Sequence, residues 1–195
     1  MAKYKKEEAL KIILEAAKNY EEKLRGKHFI IFYQEKNVVK YVEVGFRDLN
    51  FLHLTGVKSH LSAQLFYSSC IDKKLSEKDF EFDKQGKVQQ KLLVLPYLSE
   101  LLYNSCMIGE FINSGICLKA DYFVGNTKVV LSLGFKNGIG ADYPVTLYRE
   151  DVRKLTHPTN RVLAIFKKEY NQKKYSGCTY LAKGYKESDF DLEVI

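Results

Sequence analysis

Ile116-Cys-Leu-Lys-Ala-Asp-Tyr-Phe-Val-Gly-Asn-Thr-Lys-Val-Val-Leu-Ser-Leu-Gly-Phe135 decides the fold class. It holds two β-rich runs, Ile116 to Val124 and Lys128 to Phe135, separated by Gly125-Asn126, a tight-hairpin signal. Two more runs follow, Tyr143 to Arg149 and Arg161 to Lys168. Lys136-Asn137-Gly138 and His157-Pro158-Thr159-Asn160 read as their turns, with one helical turn at Asp151 to Leu155 and a short fifth strand at Tyr180 to Lys183. Short turns between such runs predict an antiparallel sheet over residues 116–168.

Upstream the period changes. From Lys5 to Arg25 the residues Ala9, Leu10, Ile12, Ile13, Ala16, Ala17, Tyr20 and Leu24 recur at helical spacing, and Gly26 follows as a stop. His28 to Gln34 and Val38 to Phe46 form a hairpin that pairs with itself, apart from or at the edge of the main sheet. Ser59 is placed to cap a helix running to about Lys73. Lys87 to Asn104 reads as a helix that Pro96 kinks or divides, with Ser99 as a new cap. Helices and strands are therefore segregated along the chain, which predicts α+β rather than α/β, with N-terminal helices packed on an antiparallel sheet.

The 195 residues suit a single domain: an N-terminal helix at 1–26, a core at 27–186 and an acidic tail at 187–195. Apolar residues make up 46% and charged residues 28%, which excludes disorder and collagen-like structure. No apolar run approaches the roughly 18–20 residues of a membrane span, so no membrane partner is expected. Met1-Ala-Lys-Tyr-Lys-Lys has no apolar segment after its basic residues, so the expected location is cytoplasmic.

The net charge of +7 is uneven. Leu147 to Lys186 holds ten basic residues against three acidic ones. Residues 1–146 hold 21 against 17, and four acids follow Lys186. A basic lobe interleaved with Tyr148, Phe166, Tyr170, Tyr175 and Tyr180 is the pattern of a polyanion binder. The bland alternative is a lysine-rich solvated face. Candidate nucleic-acid contacts are Lys58, Arg149, Arg153, Lys154, Arg161 and Lys167. Cys70, Cys106, Cys117 and Cys178 lack metal-ligand spacing, so neither a disulfide framework nor a zinc site is expected.

Gly134-Phe-Lys-Asn-Gly138-Ile-Gly140 lacks the strand-to-helix context of a phosphate loop and reads as a hairpin connection. Among the histidines, His28 opens a strand and reads as incidental, and His157 lies in a turn. His53 stands in an apolar stretch with Thr55, Gly56, Lys58 and His60 close behind, so an imidazole, a hydroxyl and a cation can converge there. A buried, hydrogen-bonded histidine is the competing account. Imidazole is the side chain suited to proton transfer near neutral pH.

Asn50-Phe-Leu-His-Leu-Thr-Gly-Val57 resembles the His-Leu-x-Gly motif of the phage-associated BECR nucleases (barnase, EndoU, colicin and RelE-like), specifically their fourth group. Lys119-Ala-Asp121 leading into Val124-Gly125-Asn126, Leu131-Ser-Leu-Gly-Phe135, and Tyr143-Pro-Val-Thr-Leu147 followed by Glu150-Asp-Val-Arg153 agree with it, over roughly residues 20–170. The resemblance implies helices on an antiparallel sheet, metal-independent RNA cleavage without a cofactor, and carriage on phages or mobile elements beside toxin-like modules.

Metal-free RNA cleavage needs a base for the 2′-OH, an acid for the 5′-oxygen and a cation for the charge on phosphorus. His53 can be base or acid, Lys119 or Arg153 can hold the phosphate, and Thr55 or Thr146 can bond a non-bridging oxygen. A second acid–base group, from Asp121, Lys119 or Tyr122, must complete the set. The alternative function is a non-catalytic protein of a mobile element that binds nucleic acid or a host protein. A nuclease of this kind has RNA as substrate and a cognate antitoxin or host protein as partner.

Overall fold

The computed structural model describes residues 4–83, 86–112 and 120–192. The fold is α+β, as expected. Helix α1 (Lys6–Lys23) leads into strand β1 (Lys27–Glu35), which turns back as β2 (Val38–Gly45). A 3₁₀ turn (Asp48–Asn50) runs into α2 (Phe51–Thr55), followed by β3 (Lys58–Ser59), α3 (Ala63–Ile71), β4 (Phe80–Glu81) and α4 (Lys87–Val94). After a 3₁₀ helix (Leu95–Tyr103) come β5 (Met107–Phe111), β6 (Tyr122–Asn126), β7 (Leu131–Lys136) and β8 (Tyr143–Tyr148). Short α5 (Val152–Leu155) precedes the long β9 (Thr156–Glu169) and β10 (Gly177–Leu181).

The main sheet runs β2-β1-β9-β5-β6-β7-β8, with β10 also on β9, and every strand pair in it is antiparallel. The N-terminal hairpin is thus one end of this sheet, held there by β9. The sheet curls until its ends meet. The Gly45 N–H donates to the Asp142 carbonyl and the Asp142 N–H to the Glu43 carbonyl, both at 2.8 Å.

The inner face of the curl carries Phe29, Ile31, Val44, Ile108, Val124, Leu133 and Leu147. Against it pack Ala9, Ile13, Ala17 and Tyr20 of α1, Phe51 and Leu54 of α2, and Leu92 of α4. This is the main core, and it explains the helical period of the first segment: α1 is amphipathic because one stripe faces the sheet. The outer face is covered twice. Tyr175 and Phe190 cover Ile30, Phe32 and Phe166, so the acidic tail is anchored by an aromatic ring. Helix α5 covers Phe123 through Val152 and Leu155.

Several local expectations are corrected. Residues 113–119, which include the first half of the expected strand Ile116 to Val124, lie outside the described residues. The Gly125-Asn126 pair does not make the turn. Gly125 sits inside β6 opposite Ser132, and the turn follows, held by the Asn126 side chain accepting the Lys128 N–H at 2.8 Å. Ser62, not Ser59, caps α3, its hydroxyl accepting the Leu65 N–H at 3.2 Å. Ser59 is drawn into β3 instead. Pro96 does divide its helix, but into a 3₁₀ segment in which Ser99 is buried rather than a cap.

The largest omission is β5, and it carries a second with it. The segment His157-Pro-Thr-Asn160 is strand, because β5 lies alongside and supplies ladder partners from Thr156 to Arg161. A neighbouring strand overrides turn propensity. The two come so close that a Cβ on Gly109 would stand 2.4 Å from the Pro158 carbonyl oxygen. Only glycine fits there, and that same glycine hid the strand in the sequence.

Candidate functional site

The His53-Leu-Thr-Gly56 motif is helix α2 and its end, and each residue has a separate task. Leu54 is buried in the main core. Thr55 is fully buried, its hydroxyl donating to the Leu52 carbonyl at 2.7 Å and accepting the Val57 N–H at 3.3 Å, so it ties off the helix. Gly56 ends it in the left-handed region at φ 77°. His53 is left exposed on the opposite side.

Gly56 has a second role. A Cβ there would lie 2.5 Å from Lys91 Cδ, so the missing side chain is the groove in which the Lys91 stem runs. Lys91 Nζ then donates to the His53 carbonyl at 2.9 Å. This ammonium satisfies an end-of-helix carbonyl that α2 cannot satisfy itself. Burial pushes the Lys91 pKa down to about 8, with Asp83 opposing and Lys87 reinforcing the shift. A lysine on the amphipathic run from Lys87 gave no functional signal in the sequence. Gly56 itself is the only local trace of the seat it provides.

Arg149, at the end of β8, reaches α4 and donates from Nη1 to Gln90 Oε1 at 3.1 Å, one residue from Lys91. Lys58 is exposed in β3, two residues beyond Gly56. The α2–α4–β8 surface thus holds an exposed imidazole, a lysine of lowered pKa and an arginine.

The other expected residues are placed differently. Lys119 lies outside the described residues. Thr146 does not meet Thr55: it is on the outer face of β8, its methyl filling the space above Gly134 beside Phe123 and Ala120, whereas Thr55 is inside the helical layer. Arg153 is held by Asp151 at 2.5 Å, and Lys154 pairs with Glu150 at 3.2 Å. Arg161 is exposed near the middle of β9, and Lys167, near its far end, lies 5.4 Å from the Tyr103 ring centre. The basic C-terminal stretch is therefore spread over several surfaces, with part of its charge neutralised locally.

A cavity of about 500 Å³ opens at the mouth of the curled sheet, lined by Tyr33, Glu35, Lys40, Glu110, Asp121 and Asn160 among others. Among the described residues its lysine is Lys40, which is paired with Glu35. The other charged groups of the described lining are the carboxylates of Glu110 and Asp121. Among the described residues no three His, Cys, Asp or Glu side chains gather as a metal site. No described helix is long and apolar enough to cross a membrane.

A helical layer packs on a curled antiparallel sheet and leaves His53 exposed on α2, an α+β domain. The family model for phage-Barnase-EndoU-ColicinE5/D-RelE like nuclease4 (PBECR4) matches residues 12–184, and the chain belongs to that family. A nuclease family implies a nucleic-acid substrate. No curated protein and no solved structure matches the chain.

Proposed function

We propose that the protein is an endoribonuclease that cleaves RNA without a metal, and that its reaction centre is the surface around His53. The observation that carries this reading is the grip of Lys91 on the His53 carbonyl over Gly56, which ties a cation of lowered pKa to the backbone of a residue whose imidazole is exposed.

In this reading His53 takes the proton of the ribose 2′-OH, and the 2′-oxygen attacks phosphorus. The bond to the 5′-oxygen breaks, that oxygen leaves with a proton, and a 2′,3′-cyclic phosphate remains. Lys91 is suited to supply the proton, because an ammonium titrating near 8 is a far better acid near neutrality than an ordinary lysine. Arg149 offsets charge on the phosphate oxygens. Thr55 acts by fixing the end of α2, since its hydroxyl is already engaged. Lys119 and Thr146 remain candidates for phosphate contact, and Lys58, Arg153, Lys154, Arg161 and Lys167 for contact along the strand. A cognate antitoxin and action in the cytoplasm belong to the same proposal.

The test is cleavage of RNA by the purified protein. His53→Ala should lower the rate by about 10²–10⁴-fold, the usual contribution of one acid–base group, with chelator without effect and cyclic phosphate ends seen by mass spectrometry. Chelator-sensitive cleavage, or full activity in His53→Ala, overturns the reading. A second reading, a nucleic-acid- or host-protein-binding protein without catalysis, is favoured by one observation: among the described residues the hydrogen bond made to His53 is at its backbone carbonyl, and no side chain orients its ring. RNA binding without cleavage would establish it.

A further inference from the structure

The seam where the sheet's ends meet contains a second pocket, of about 300 Å³, whose chemistry is unlike that of the acidic mouth. Its lining includes His28, Arg47, Asn50, Ile139, Tyr143 and Tyr170. His28 is oriented. Its Nδ1 lies 2.7 Å from Glu43 Oε1, which leaves Nε2 as the ring nitrogen available to a ligand. The Tyr170 ring meets the imidazole edge-on at 4.4 Å between centres, and the Tyr170 hydroxyl donates to the Phe46 carbonyl at 2.9 Å. Gly45 makes room for both: a Cβ there would be 3.2 Å from the Tyr170 hydroxyl and 3.3 Å from His28 Nε2.

The negative charges near this pocket are already engaged. Glu43 faces Lys168 at 3.7 Å as well as His28. Asp142 accepts the Gly138 N–H at 3.1 Å through one oxygen and the Tyr122 hydroxyl at 2.8 Å through the other. Asp48 accepts the Leu49 N–H at 2.9 Å. The exposed Arg47 guanidinium, which also reaches the Tyr170 hydroxyl, and the His28 ring in its doubly protonated form, with Nδ1–H donating to Glu43 and Nε2–H facing the ligand, are the groups placed to receive an anion. Around them Tyr143 and Tyr170 are 37% and 42% exposed, and Ile139 is fully exposed. An anion-binding pair flanked by accessible rings matches a nucleotide, with phosphate on the cations and base on an aromatic face. The rim also leads to the reaction centre. Leu49, on the pocket wall, precedes His53 by four residues in a continuous helical segment, which puts them about one turn apart on one side.

We propose that this seam pocket is a subsite for a nucleotide of single-stranded RNA adjoining the cleavage position, with Arg47 and His28 on its phosphate and Tyr143 or Tyr170 on its base. The proposal rests on the nuclease reading for its substrate. Its test does not need turnover. A fluorescent 2′-O-methyl hexanucleotide cannot be cleaved by 2′-OH attack, so its Kd at about 50 mM salt reports binding alone. Arg47→Ala and His28→Gln should each weaken binding about 10–100-fold, the worth of a charged hydrogen bond. Glu35→Gln, in the acidic cavity, should leave it unchanged. On cleavable RNA, Arg47→Ala should raise KM while kcat holds. Unchanged binding in Arg47→Ala overturns the subsite, and so does a fall in kcat at constant KM, which would move the reaction itself into this pocket. If the wild-type protein cleaves no RNA but its binding still depends on Arg47, the nuclease reading fails and the subsite stands.

Discussion

Replacing Gly56 by alanine tests the architecture of the site through one methyl group. Two costs are separable. The backbone at φ 77° is unfavourable for an L-residue by about 1–2 kcal/mol. The new Cβ would also stand 2.5 Å from Lys91 Cδ, so the lysine stem must move, and its 2.9 Å hydrogen bond to the His53 carbonyl goes with it. A hydrogen bond to a charged group is worth about 1.5–3 kcal/mol. The lysine can recover some of this by reaching water, so the expected loss is about 2–3 kcal/mol. For a chain of this size that is a fall in Tm of roughly 4–12 °C. Urea and thermal unfolding followed by circular dichroism measure it directly. The Lys91→Ala background separates the parts, since Gly56→Ala should there cost only the backbone share, about 1–2 kcal/mol. A loss below about 1 kcal/mol in the wild-type background, or equal losses in both backgrounds, would refute the account of Gly56 as the seat of Lys91.

Lys91 also makes a prediction about pH. Its folded pKa, about 8, lies below the ordinary 10.5, so the unfolded chain holds more protons between these values and stability should rise with pH across that window. Lys91→Met should remove this contribution to the slope, as pH-dependent urea titrations would show. His53→Ala should leave Tm within about 1–2 °C of wild type, because the ring is exposed; a large fall would make it a structural residue. Burial pushes the Cys70 and Cys106 thiols up to about 12, so neither should react with a thiol reagent at pH 8 in the native protein, and labelling detected by peptide mapping would contradict their burial. Gly109→Ala should destabilise more than Gly56→Ala, because the atom in the way is a backbone carbonyl of β9 rather than a side chain that can move; comparable melting curves would count against the close approach of β5 and β9.

The sequence by itself determined the α+β class, the first helix, the hairpin and most of the strands. Those properties are written in local periodicity, and burial on one face imposes a period on any element that has it. Separately, the resemblance of the segment from Asn50 to Val57 to a family motif pointed to the family that the comparison then showed. What local pattern could not carry was decided by tertiary structure. Strand β5 is short and holds a glycine, and residues 157–160 look like a turn until β5 pairs with them. The sheet's closure through Asp142 and Gly45 is a contact between segments almost a hundred residues apart, and it builds the seam pocket. Lys91 and Arg149 come to the His53 surface from a later helix and a late strand, and His28, read as incidental, is oriented by a glutamate on the neighbouring strand. An isolated charge or imidazole has the same appearance in a sequence whether it faces solvent or a site. Only the packing that lowers one group's pKa and aims another's ring nitrogen tells them apart.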